Sequence, residues 1–386
     1  MTNPIFIPGP TNIPEQIRKA CDMPTLDHRS QVFADILHPV LAGVKRILKT
    51  ETGEVVIFPG SGTGGWEAAI SNTLSPGDTV LASDFGMFSR KWIDMCTRHG
   101  LDTQVVTADW GQGLPVADFA TILAADTGHR IKAVLATHNE TATGVRSDIA
   151  ALRAAMDAAG HPALLLVDGV SSIGSMEFRM DDWGVDVAVT GSQKGFMLPA
   201  GLAIVGISQK AIAAMDTAQL PRFYFDFRDM LAMNPGAGYP YTPSVGLMNG
   251  LKTALAMIED EGLEQVFARH IHIAEGVRQA VRAWGLAICA AAPALMSETV
   301  TAIVLPKGID GNALVTHAEN RYATSFGAGL GDVAGKVFRI GHLGILSETQ
   351  ALAGIATAEM AMADMGIDLA LGSGVAAAQT HYRTNG

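Results

Sequence analysis

The chain has 386 residues, 48% of them hydrophobic and only 17% charged, which is enough apolar material for two domains, or for one large α/β domain with a smaller appendage. A formal net charge of −11 excludes a broad surface for nucleic acid or an anionic membrane, because such a surface needs clustered Lys and Arg facing the partner's phosphates. Cys21, Cys96 and Cys289 stand far apart, with no CxxC pair and no His/Cys grouping at metal-ligand spacing, so no metal site is expected and the three read as reduced, buried thiols.

In chain order, the segment Met1 to Pro10 has no basic stretch followed by an apolar run, and no stretch approaches the ~18 apolar residues of a membrane span. A cytoplasmic location is the expectation. Short apolar, β-branched runs then recur at Val55–Phe58, Thr79–Ala82, Thr103–Thr107, Lys132–Thr137, Ala163–Asp168, Val185–Thr190 and Leu202–Ile207. Ala-rich helical patterns lie between them, at Gly64–Leu74, Met87–His99 and Ser147–Ala159, the last starting at Ser147 with an acidic first turn. This alternation predicts a mainly parallel, doubly wound sheet of seven strands, with the chemistry on loops at the strand C-terminal ends. From Pro221 to Pro243 an aromatic stretch rich in Pro and Gly breaks the pattern, followed by long helices at Ser244–Glu261 and Leu263–Trp284. Strands near Val300–Leu305 and Lys336–Ile340 and a helix over Ser347–Met365 complete a small α+β domain. The expected division is an N-terminal segment 1–20 reaching the active site, a large domain 21–260 and a C-terminal domain 261–386.

Three strand ends carry reactive residue types. Gly60-Ser61-Gly62-Thr63-Gly64-Gly65 follows a predicted strand and opens a helix, so its N–H groups and hydroxyls suit a phosphate at the positive helix end. The same residues satisfy G-x-G-x-x-G through Gly60, Gly62 and Gly65, and Asp84 stands where a ribose-binding acid would, so an NAD-dependent oxidoreductase is the rival reading. Asp168 ends the apolar run Ala163–Val167, where a carboxylate is costly unless paired. Its partner is either a protonated pyridine nitrogen or, alternatively, the N-terminus of the next helix. Lys194 follows the next strand; such an amine attacks an aldehyde only when neutral, which burial beside a cation favours. Alone it would be read as a solvated surface charge. Together, a phosphate cup, an acid and a lysine on three strand ends match the three handles of pyridoxal 5'-phosphate (PLP).

At these residues the chain resembles the fold-type I PLP enzymes, and within them the class V aminotransferases, the group that includes alanine–, serine– and aspartate–glyoxylate aminotransferases. The likeness runs over nearly the whole chain, through Pro8-Gly9-Pro10-Thr11-Asn12-Ile13-Pro14, the Gly60–Gly65 cup, Thr137-His138-Asn139-Glu140-Thr141-Ala142-Thr143-Gly144, Val167-Asp168, Gly191-Ser192-Gln193-Lys194 and Lys336-Val337-Phe338-Arg339-Ile340-Gly341. The resemblance implies that Ser61, Gly62 and Thr63 grip the phosphate with Gln193 beside it, that Phe88 stacks on the ring and that Thr141 bonds its hydroxyl. It further implies Asp168 at the pyridine nitrogen, Lys194 as the Schiff-base lysine, and Arg339 with the backbone of Gly9 at the substrate carboxylate. Tyr239 and Thr242 match positions that reach the phosphate of a neighbouring subunit, which implies a homodimer with shared sites. The implied activity is ping-pong transfer of an amino group to glyoxylate, with aspartate favoured over serine as donor. Two departures stand out: many relatives carry His or another residue at Thr63, and Trp or Tyr where Phe88 stands. Arg29 is read as a salt-bridge residue, with a donor's second carboxylate as its alternative partner. A cysteine desulfurase-like lyase on the same scaffold would need a mobile nucleophilic Cys, whereas Cys289 lies in the Ala-rich run Ile288–Ala292 and reads as a core thiol.

Overall fold

A computed structural model describes residues 4–385. Fourteen strands follow in chain order among these residues: β1 (Ile5–Phe6), β2 (Glu54–Gly60), β3 (Thr79–Asp84), β4 (Asp102–Thr107), β5 (Ile131–Thr137), β6 (Asn139–Glu140), β7 (Val145–Arg146), β8 (Leu164–Asp168), β9 (Val187–Gly191), β10 (Gly201–Ile207), β11 (Ala287–Ile288), β12 (Val300–Val304), β13 (Ser325–Ala328) and β14 (Val337–Gly341). Seven of them form one sheet in the order β2-β10-β9-β8-β5-β3-β4. The pairs from β9 to β4 are all parallel, and β10 runs antiparallel to both its neighbours. Every residue of β8 and β9 is buried, as expected for central strands covered by helices on both faces. β4 ends the sheet with Asp102, Gln104 and Thr107 exposed alongside Val105, a largely polar edge that discourages pairing with another chain.

The seven predicted strands and the predicted helices exist, with ends displaced by one or two residues. One displacement has a clear cause: the helix Ile149–Ala158 starts after Ser147, because Asp148 is its N-cap and accepts from the Ala151 N–H at 2.8 Å. The helix Glu348–Asp364 is entered through a reciprocal bond pair between Ser347 and Gln350. Helices at Glu15–Cys21, Gln31–Leu48, Val116–Ala125, Gly311–Tyr322 and Ser373–Asn385 have no counterpart in the sequence reading. Pro39 lies inside Gln31–Leu48, and burial of Phe33, Leu37, Val40 and Val44 outweighs its missing N–H.

The second sheet has the order β1-β13-β14-β12-β11, so the N-terminal Ile5–Phe6 lies parallel to β13 across most of the sequence. There are two apolar cores: one surrounds the large sheet and the other, including Phe6, Phe326, Phe338 and Ile355, packs on the second sheet. The helix Leu263–Ala283 joins them, with Val266 in the first core and Ile273 and Val277 in the second. No helix among the described residues is long and apolar enough to cross a membrane.

Candidate active site

A cavity of about 220 Å³ opens at the C-terminal ends of the parallel strands. Ser61, Gly62, Thr63, Phe88, Thr141, Asp168, Gln193, Lys194 and Gly9 all line it, so the tertiary structure brings these predicted residues together. Arg339, on β14 of the second sheet, does not line the cavity but bonds a residue that does: its Nη1 donates to the carbonyl of Thr141 at 2.9 Å and its Nε to that of Ala328 at 2.9 Å. Trp66, Val170, Ser171 and Pro10 also line the cavity and were not singled out from sequence; Trp66 sits one turn into the helix opened by the cup, and Ser171 three residues past Asp168.

Lys194 sits in a tight turn after β9. Ser192 staples that turn, its Oγ donating to the Pro199 carbonyl and accepting from the Leu202 N–H. The lysine is buried, and its Nζ donates to the carbonyl of Pro8. Gly9 has φ +100°, a conformation that requires glycine, and a Cβ there would press on the end of the Lys194 side chain, 2.6 Å from Nζ. Burial, aided by the Arg339 charge and opposed by Asp168, lowers the ammonium pKa to about 8. At pH 7 roughly a tenth of the amine is then neutral, far more than for an exposed lysine.

Asp168 ends β8 and is buried. Burial raises its carboxyl to about 6, against the Val170 N–H, which donates to Oδ1 at 2.9 Å, and the Lys194 charge. The Trp66 indole N–H has no partner of hydrogen-bonding geometry, yet lies near enough to Asp168 to oppose that rise as well. Asp168 thus caps nothing: it bonds the turn after its own strand and keeps one oxygen for the cavity. Arg339, 6% exposed, is lowered to about 10 by burial, with Glu140 opposing. Thr141 Oγ1 donates to Ser171 Oγ at 2.7 Å, and Ser171 in turn donates to the Asn139 carbonyl at 3.0 Å.

The remaining expectations fall elsewhere. Tyr239 is buried in its own chain, its hydroxyl donating to the Ile57 carbonyl at 2.6 Å, while Thr242 is exposed; neither lines the cavity. Asp84 pairs with Arg90 at 3.0 Å, at the end of β3. In the sheet order β3 lies five positions from β2, roughly 24 Å at the usual strand spacing, so Asp84 is not beside the Gly60–Gly65 turn. The dinucleotide reading is thereby overturned, since a ribose-binding acid belongs on the strand next to the glycine turn. Arg29 is exposed and its side chain forms no ion pair among the described residues, contrary to the salt bridge expected; only its N–H bonds Asp27, at 2.9 Å. Cys21 and Cys289 are half-buried rather than fully buried, Cys96 is buried, and none lines the cavity. Burial raises the Cys289 thiol pKa, the opposite of what a nucleophile needs.

The sequence model of the family described as Aminotransferase class-V matches residues 16–328. The chain is 66% identical over 381 residues to the L-aspartate–glyoxylate aminotransferase of Paracoccus denitrificans, covering 99% of this chain and 96% of that one. It is 53% identical to the serine–glyoxylate aminotransferase of Hyphomicrobium methylovorum, over 100% of this chain and 96% of the relative. Among solved structures, the pyridoxamine–pyruvate aminotransferase of Mesorhizobium loti superposes with a TM-score of 0.94 at 30% identity, covering 100% of this chain and 98% of the other.

Proposed function

Because the chain belongs to the class V aminotransferase family, whose members depend on PLP, we propose that it transfers the amino group of L-aspartate, with L-serine as next-best donor, to glyoxylate. The products are glycine and a 2-oxo acid. The observation that carries this reading is a buried lysine of lowered pKa and a buried aspartate in one cavity, with a buried arginine of the second sheet anchored on the carbonyl of Thr141, which lines it. The aspartate relative's higher identity supports the order of donors.

The residues fit PLP. The helix Gly62–Thr73 has no side-chain cap, so its first N–H groups remain for a phosphate held with Ser61 and Thr63. When bound, PLP supplies the electron-withdrawing ring that stabilises negative charge at the donor's Cα. Lys194 Nζ is the amine that would hold the cofactor, and, with a lowered pKa, the same nitrogen would be the base that carries the proton taken from the donor's Cα. Of the other residues lining the cavity, Asp168 would keep a proton on the pyridine nitrogen, Phe88 would pack against the ring and Thr141 would meet its hydroxyl. Gly9 leaves room for the substrate carboxylate beside Arg339. Ser61 and Thr63 are exposed in the single chain, which leaves the phosphate end open to a second copy in a homodimer; of the two residues expected to reach across, Thr242 is exposed, whereas Tyr239 is buried with its hydroxyl on the Ile57 carbonyl.

The test is to mix the purified protein and glyoxylate with aspartate, serine or alanine and measure glycine; aspartate should give the highest kcat/KM, and no glycine from any donor would end the proposal. Arg339→Lys should lower kcat/KM in both half-reactions by about 10²-fold, the scale of a lost bidentate, charge-assisted contact, while leaving PLP affinity within about twofold. An unchanged KM for every donor and for glyoxylate would take the carboxylate role away from Arg339.

A further inference from the structure

Glu140 is completely buried, yet it has no part in the chemistry proposed above. It stands in the β6–β7 hairpin, and its carboxylate lies on the first turn of the helix Met87–Arg98. Oε2 accepts from the N–H of Phe88 at 2.9 Å and of Ser89 at 3.0 Å, and Oε1 from the N–H of Ala142 at 3.0 Å. The helix has no cap of its own, because its N-cap is Gly86. Gly86 is extended at φ 177°, so any residue suits its backbone; what matters is room, since a Cβ there would overlap Glu140 Cγ and Cδ. The first-turn N–H groups form the positive end of the helix, where a carboxylate is favoured. One side chain thus ties together two loops from different strand ends, and those loops carry Phe88 and Thr141, both lining the cavity. Its charge also favours the guanidinium form of Arg339.

We propose that Glu140 is a positioning residue: by capping the helix of Phe88 from the neighbouring hairpin, it sets the slot between Phe88 and Thr141 that receives the cofactor ring. This rests on the PLP reading above. Aspartate at this position would be too short to span the three N–H groups, and glutamine would place an N–H₂ against at least one of them.

The experiment measures PLP affinity of the cofactor-free chain by titration, together with its melting temperature. Glu140→Gln should raise the PLP Kd about tenfold, the scale of a lost helix cap. In a Phe88→Ala background the same change should cost less than about twofold, because the ring it positions is already gone. Gly86→Ala, which displaces the carboxylate without removing it, should weaken PLP in the same way and guards against a Gln variant that does not fold. An unchanged Kd in a folded Glu140→Gln or Gly86→Ala chain overturns the inference, as does a full tenfold loss in both backgrounds; a lower melting temperature with unchanged Kd means a purely structural cap. If the wild-type chain itself failed to bind PLP, the functional reading would fall first and this inference with it, whereas wild-type binding with an unaffected variant removes this inference alone.

Discussion

Lys194→Ala is expected to leave a folded protein that has lost at least about 10³-fold in transamination, since in the proposed function a single nitrogen both holds the cofactor and carries the proton. Folding should survive because the amine is already disfavoured in its charged form: burial and Arg339 lower it to about 8, so its removal relieves a desolvation cost. Borohydride reduction of the wild-type holoenzyme should fix PLP on Lys194, and a reduced adduct mapped by mass spectrometry to another lysine would sink the assignment. The same variant tests the shared site. Mixed with a Tyr239→Phe/Thr242→Ala chain, it should regain activity, because each heterodimer then has one doubly damaged and one intact site. Phe is chosen because Tyr239 is buried in its own chain and Ala would open a cavity there. No recovery despite demonstrated subunit exchange would refute sharing.

Asp168→Asn should keep the shape of the site and the Val170 contact through Oδ1 but remove the charge facing the cavity. Proton removal from the donor should slow by about 10²–10⁴-fold, the scale of the ~3–5 kcal/mol lost when one partner of a buried ion pair is neutralised. Single-turnover rates with aspartate read this step directly, and unchanged rates would leave Asp168 a structural residue. The pH dependence carries the same sign. With a pKa raised to about 6 in the cofactor-free chain, the carboxylate is available above that pH and protonated below it. PLP affinity should therefore fall as pH drops through about 6, and this limb should disappear in Asp168→Asn.

The NAD alternative shows where local reading stops. Gly60, Gly62, Gly65 and Asp84 satisfy a nucleotide pattern along the chain, and nothing within that window tells which strands are neighbours. The insertion of β10, β9, β8 and β5 between β2 and β3 separates the acid from the glycine turn. Glu140 shows the same limit from the other side: its helix-capping partners are about 50 residues earlier, so the helix signal at Met87 contains no sign of its cap.

The amino-acid sequence by itself determined the seven large-sheet strands, the long helices and the positions of Asp168 and Lys194. Strands buried on both faces appear as unbroken apolar runs, and a polar residue ending such a run stands out against them. The motifs quoted around these residues were enough to identify the class V aminotransferase resemblance. Only the tertiary structure decided that Ile5–Phe6 pairs with β13, that Arg339 of the second sheet reaches the Thr141 carbonyl, that Trp66 and Ser171 line the cavity and that Tyr239 and Thr242 do not. A two-residue strand has no periodicity to detect, and a contact nearly 200 residues apart, such as Arg339 with Thr141, depends on how two cores pack, a non-local outcome that no short stretch of chain encodes.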